Sequence, residues 1–179
     1  MLAQLAQDYK SGDQLNEGSR LVSTVNCVRG NGFTAYATAL EKAQAELDAR
    51  GRADAQDVIV FFSDGAANTG PSYYSSSSDY RKRPCRQGVN SAAAIKARGT
   101  IIYSIGYDLD AQNGGANTCR NGYNGPLESP SITAYQALQR IATDSAKFYN
   151  QPSAGQLQTI YTEIAADISG SRLIHDGLL

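Results

Sequence analysis

The stretch VIVFFSDGAANTG, Val58–Gly70, runs five apolar residues directly into Ser63, Asp64 and Gly65. Residues 57–63 are a run dominated by β-branched and aromatic residues without polar alternation, the pattern of a strand buried on both faces, as in parallel sheets. A carboxylate at the end of such a strand has two readings. Asp64-Gly65 forms a tight turn, since Asp bonds its own downstream backbone and Gly accepts positive φ. Alternatively, Asp64 stands outside the carboxyl end of a sheet strand, where ligands of α/β proteins bind. Local sequence leaves both open.

The flanking sequence supplies the rest of an α/β fold. Leu40, Ala43 and Leu47 recur at helical spacing in an Ala-, Glu- and Gln-rich segment that closes at Gly51, predicting a helix over about 35–50. A second helix is predicted over 87–98, QGVNSAAAIKAR, closed by Gly99, and a second buried strand over 100–107, TIIYSIGY. Ile132, Tyr135, Leu138 and Ile141 line one face of a third helix with Ser131 as its N-cap candidate. KFYN, 147–150, reads as a short strand; Leu157, Ile160, Tyr161, Ile164 and Ile168 stripe a last helix behind Ser153. Helices alternating with buried strands imply a parallel sheet covered on both faces. The first 33 residues are less explicit: SRLVSTVNCV fits strand or helix, and MLAQLAQDYK fits a short helix. The end, SGSRLIHDGLL, fits a fraying tail or a short strand.

Composition narrows the function. The chain has 179 residues, 41% hydrophobic and 18% charged, as expected of a single globular domain spanning 1–179. A net charge of −1 gives no global attraction for nucleic acid or anionic membranes. No apolar run approaches the length of a membrane span, and no basic-then-apolar leader opens the chain. His175 is the only histidine; G-x-S-x-G, G-x-x-x-x-G-K-[ST] and G-x-G-x-x-G are absent. Serine-hydrolase, P-loop and dinucleotide chemistry are therefore disfavoured.

GNGFTAYATAL, 30–40, raises the functional reading of Asp64. With VIVFFSDGAAN it resembles the von Willebrand factor type A (vWA) domain, whose metal-ion-dependent adhesion site combines a D-x-S-x-S loop, a Thr in a Gly-rich loop and an Asp-Gly after the fourth strand. The resemblance covers about residues 20–170. It implies a Rossmann-like α/β fold and a non-enzymatic protein-binding or adhesion module. It also implies that Thr34 and Asp64 are the metal ligands, for Mg²⁺ or for Mn²⁺ or Ca²⁺, with an acidic residue of a protein partner completing the site. D-x-S-x-S does not occur before Thr34, and the family's first strand and first helix have no counterpart here. An incomplete N-terminus, a poorly bound or unbound cation and an exposed sheet edge open to dimerisation are expected. The alternatives are an Mg²⁺-dependent phosphoester hydrolase using Asp64 and a structural remnant without a site.

The two long loops, 65–86 and 108–130, both leave strand carboxyl ends. Cys85 and Cys119 fall in them, so a disulfide is expected, against the alternative of two unrelated thiols; Cys27 is then left over. A disulfide implies an extracytoplasmic setting, in keeping with secreted and bacterial envelope members of the family, including those of Tad-type pilus assembly. SYYSSSSDYRKRPCR, 72–86, is either a solvated loop or a recognition loop presenting Tyr73, Tyr74, Tyr80, Arg81 and Arg83 to a partner.

Overall fold

A computed structural model of the chain describes residues 8–28, 30, 32–52, 54–70, 82–107, 109, 117–150 and 153–170. It opens on a small antiparallel hairpin, β1 (Lys10–Ser11) and β2 (Gln14–Leu15). The segment that fitted strand or helix is a helix, α1 (Arg20–Asn26), fixed by Ser19, whose hydroxyl accepts from the Leu21 amide and donates to Asp8. There follow α2 (Tyr36–Arg50), β3 (Val58–Ser63), α3 (Pro84–Lys96), β4 (Ile101–Gly106), α4 (Ala134–Ile141), β5 (Phe148–Asn150) and α5 (Ala154–Gly170). The main sheet is parallel in the order β3-β4-β5, with Ile59 beside Ile102 and Val60 beside Tyr103.

Two apolar clusters hold the sheet. On one face Ile59, Phe61 and Ile102 pack against Tyr36 and Leu40 of α2, Ala92 and Ile95 of α3, and Ala137, Leu138 and Ile141 of α4. On the other, Tyr103 and Ile105 lie under Ile160 and Ile164 of α5. Helices thus cover both faces, as expected, and burial of each such aliphatic side chain contributes about 1.5–3 kcal/mol.

The structure corrects four local expectations. β3 is buried on one face only: Val60 and Phe62 are 39% and 44% exposed, because α5 covers their β4 neighbours Tyr103 and Ile105 and reaches no further than Val58. Its outer edge pairs with no strand among the described residues. The N-cap of α4 is Thr133 rather than Ser131; its hydroxyl accepts from the Gln136 amide while the Gln136 side chain accepts from the Thr133 amide, a closed capping box. Helix α3 starts at Pro84, a residue suited to a first helical position, so Cys85 sits in its first turn and not in a loop. Tyr161 lies outside the buried stripe of α5 and is exposed.

Candidate functional site

The carboxyl ends of β3 and β4 carry the irregular chain. Asp64 follows β3 directly and its side chain is exposed, whereas Thr34, just before α2, is half-buried. The two loops are bonded to each other. The Thr34 amide donates to Asn68 Oδ1 at 2.8 Å, and the Thr34 carbonyl accepts from the amides of Asn68 and Thr69 at 2.9 and 3.2 Å. At the first residue of α2, the Tyr36 hydroxyl donates to the Gly65 carbonyl, which also accepts from Ser63 Oγ at 3.0 Å. Burial, with a smaller contribution from the Asp64 charge, pushes the Tyr36 phenol well above its usual range, so it remains a donor. Tyr36 is itself fixed by an edge-to-face contact with Phe61 at 5.3 Å and by Gly88 of α3, where a Cβ would stand 2.5 Å from Tyr36 Cβ.

Beside this pair of loops, residues 117–133 form an irregular hairpin. Thr118 bridges Thr133 and Arg120 bridges Leu127, and its tip closes where the Asn121 amide donates to the Pro126 carbonyl at 2.8 Å. Its base is joined to α3 by the Cys85–Cys119 disulfide, with Cα atoms 6.1 Å apart. Glu128, with a fully buried side chain, accepts from the Cys85 amide at 2.8 Å and lies 3.8 Å from Arg86 Nε. Burial raises its carboxyl pKa, and the helix amides and the nearby charges of Arg86 and Arg83 oppose the rise. At the tip, the exposed ring of Tyr123 meets the exposed ring of Phe33 edge to face at 6.4 Å. The hairpin therefore reaches the residue before Thr34.

The two sequence-predicted ligands, Thr34 and Asp64, are brought onto adjacent, mutually bonded loops. Cys85 and Cys119 form the expected disulfide, and Cys27 is free and exposed. Of the expected partner-binding residues, Arg83 is the exposed N-cap of α3; Tyr73, Tyr74, Tyr80 and Arg81 lie outside the described residues. Tyr36, Asn68, Glu128, Phe33 and Tyr123 carry the face without having been singled out. Asn68 was the most accessible of these, as the one amide side chain in an otherwise small loop, DGAANTG.

A family model for the von Willebrand factor type A domain matches residues 3–163. The chain belongs to the vWA family. Among solved structures, the vWA fold here is similar to the crystal structure of the vWF domain of the type V pili tip protein Mfa5 from Porphyromonas gingivalis. The TM-score is 0.62 at 15% identity, over 89% of this chain and 75% of that one. No curated protein matches the chain. Domains of the vWA family typically serve adhesion and protein binding, and no described helix is long and apolar enough to cross a membrane.

A vWA adhesion site implies a divalent cation, and the donor set here is sparse. Among the described residues, Asp64 belongs to no cluster of three potential acidic, histidine or cysteine ligands; the only such cluster is Cys85, Cys119 and Glu128, whose sulfurs are bonded to each other. Thr34 and Asp64 offer one hydroxyl and one carboxylate. That set suits Mg²⁺, which keeps several waters and accepts one or two carboxylates, only as a weakly held, water-rich ion.

Proposed function

We propose that the chain is a protein-binding module of the adhesion type, engaging its partner with the face around Thr34 and Asp64. The observation that supports this is the bonding between those loops across 34 residues of sequence, which presents an exposed carboxylate from a fixed backbone. Thr34 and Asp64 hold a divalent cation, Mg²⁺ or its Mn²⁺ or Ca²⁺ equivalent, with low affinity. When bound, it supplies the positive charge for a partner carboxylate. The protein groups do the positioning: Asn68 fixes the Thr34 backbone and Tyr36 fixes the Gly65 carbonyl. Among the described residues Asp64 belongs to no cluster of three acidic, histidine or cysteine side chains of the kind a metal-dependent hydrolase would use, which favours binding over phosphoester hydrolysis. A disulfide-stabilised module similar in fold to a pilus tip domain suits the bacterial surface or envelope, in the manner of pilus-associated proteins.

Thermal unfolding with and without Mg²⁺ or Mn²⁺, run beside Asp64→Ala, tests the site. Binding to the native state alone raises stability by about 2.7 kcal/mol at a hundred times Kd. A rise in Tm in the parent that disappears in Asp64→Ala is expected; no response at any cation concentration would remove the cation from the proposal.

A second association is suggested by β3, whose outer edge and half-exposed Val60 and Phe62 resemble an unpaired sheet edge. Antiparallel pairing of two copies with Val58 opposite Ser63 would set Asp57 against Asp64. Like charges opposed across strands destabilise, so such a dimer is expected to be favoured by Asp57→Asn combined with Asp64→Asn. Sedimentation equilibrium of that variant beside the parent, with Phe62→Lys as the disrupted control, decides it.

A further inference from the structure

We infer that the same face carries a metal-independent contact for an acidic polypeptide segment, built from the Phe33–Tyr123 ring pair and the guanidinium groups of Arg83 and Arg120. The inference rests on reading this face as the partner-binding surface, and it names a second contact on it.

The rings come first. Phe33 and Tyr123 are 65% and 68% exposed, with centroids 6.4 Å apart and planes at 79°. Exposed rings on a loose loop would have to be ordered on binding, but these already stand on fixed backbone. Phe33 precedes Thr34, whose amide and carbonyl make three hydrogen bonds to the loop after β3. Tyr123 sits on a hairpin tip closed by the Asn121–Pro126 hydrogen bond, above a base held by the disulfide. Rigid aromatic anchors give contact area at low conformational cost.

Among the described residues, the exposed charge of the hairpin and of the approach to α3 has one sign. In the hairpin, the approach to α3 and its first turn, the exposed charged side chains are Lys82, Arg83 and Arg120; Arg86 is half-buried. The one acidic residue of these segments, Glu128, is buried against the Cys85 amide. Arg83 has a left-handed backbone, φ 53°, and its amide donates to Asn121 Oδ1 at 2.7 Å, which ties it to the hairpin. A non-glycine residue there costs about 1–2 kcal/mol. Asp64 lies on the Thr34 side of the face, so acidic groups of a partner are directed toward the arginines. Tyr123 shares the hairpin with Arg120, whose Nη1 donates to the Gly125 carbonyl at 3.2 Å, and with Asn121, which holds the Arg83 amide. Guanidinium groups bind carboxylates through paired hydrogen bonds, and the ring pair on the same face takes an apolar or aromatic side chain between the acids.

The test is fluorescence anisotropy with a short labelled peptide alternating glutamate with phenylalanine and leucine. Its lysine counterpart and a labelled N-acetylglucosamine tetramer run in parallel, each in EDTA and in Mg²⁺. The acidic peptide is expected to bind equally in EDTA and Mg²⁺, with affinity falling as salt rises, and the other two probes are expected not to bind. Combined Arg83→Glu and Arg120→Glu, or Tyr123→Ala alone, weaken binding about tenfold. Arg83→Gly lowers affinity while the Tm holds or rises, which separates lost recognition from lost folding. Absence of acidic-peptide binding, binding indifferent to the charge reversal, or binding of the sugar alone overturns the inference. Peptide binding that requires Mg²⁺ and survives both the arginine and Tyr123 substitutions overturns it while leaving the proposed function intact. No response to either cation or peptide counts against both.

Discussion

Gly88→Ala is the substitution whose sign depends most directly on this packing. Taken alone, Gly to Ala inside a helix stabilises by about 1 kcal/mol. At Gly88 the new Cβ would stand 2.5 Å from Tyr36 Cβ and 3.1 Å from Tyr36 Cδ2. Tyr36 Cβ is attached to the α2 backbone, so no side-chain rotation removes the clash; α2 and α3 must separate by roughly 1 Å to restore ordinary contact near 3.5–4.0 Å. Overpacking costs about 1–3 kcal/mol, and a clash rooted in backbone belongs at the upper end. Set against the helix gain, the net loss is about 2 kcal/mol, or a Tm lower by about 4–8 °C for a domain of this size. The separation would also draw Tyr36 from the Gly65 carbonyl and slacken the loop bearing Asp64. Urea and thermal unfolding measure the first effect, with Gly155→Ala as control, because nothing lies within 4 Å of a Cβ built there. An unchanged or higher midpoint for Gly88→Ala would refute the close contact between α2 and α3.

Three further outcomes are expected. Replacing Cys85 and Cys119 together by Ala costs about 3–4 kcal/mol on the loop-closure estimate, read by thermal unfolding, and increases proteolytic cleavage in the 117–133 hairpin. Thr133→Ala loses about 1 kcal/mol through its cap whereas Ser131→Ala changes little, a comparison made by urea midpoints. The hydrogen bond from the Tyr103 hydroxyl, and secondarily the Lys147 charge, hold the Asp167 carboxyl below its usual range. With the folded pKa below the unfolded value of about 3.9, the stabilisation is present above that value and lost as pH falls through the folded pKa. Asp167→Asn should thus be less stable near neutral pH and lose less on acidification, as measured by urea midpoints along the acid limb.

What was legible in the sequence tracks how local its cause is. β4 was read correctly because IIYSIG is buried along most of its length on both faces, so composition and environment agree. β3, VIVFFS, is at least as apolar, but Val60 and Phe62 are half-exposed. Apolar composition records what a strand can bury; what covers it is decided elsewhere in the chain. The α4 cap was readable in principle, since Gln136 three residues after Thr133 completes a capping box that Ser131 lacks. Thr34 and Asp64 were legible through short motifs. Glu128 was not: nothing local in LESP predicts burial, which follows from a disulfide that brings the hairpin to an α3 amide 43 residues away. The Phe33–Tyr123 contact is equally non-local.

The two halves of the face share one support. Helix α3 holds the hairpin through Cys85, by the disulfide and the amide to Glu128, and three residues later it presses Gly88 against Tyr36, the side chain that holds the Gly65 carbonyl. The arginine–aromatic contact and the Thr34–Asp64 pair are therefore mounted on the first two turns of one helix. Close-packed elements transmit displacement rather than absorb it. Releasing the disulfide is accordingly expected to disturb Tyr36 as well as the hairpin, so that the Cys85→Ala, Cys119→Ala variant loses acidic-peptide affinity and any cation response together. Loss of peptide affinity with the cation response intact would show that α3 does not couple the two halves.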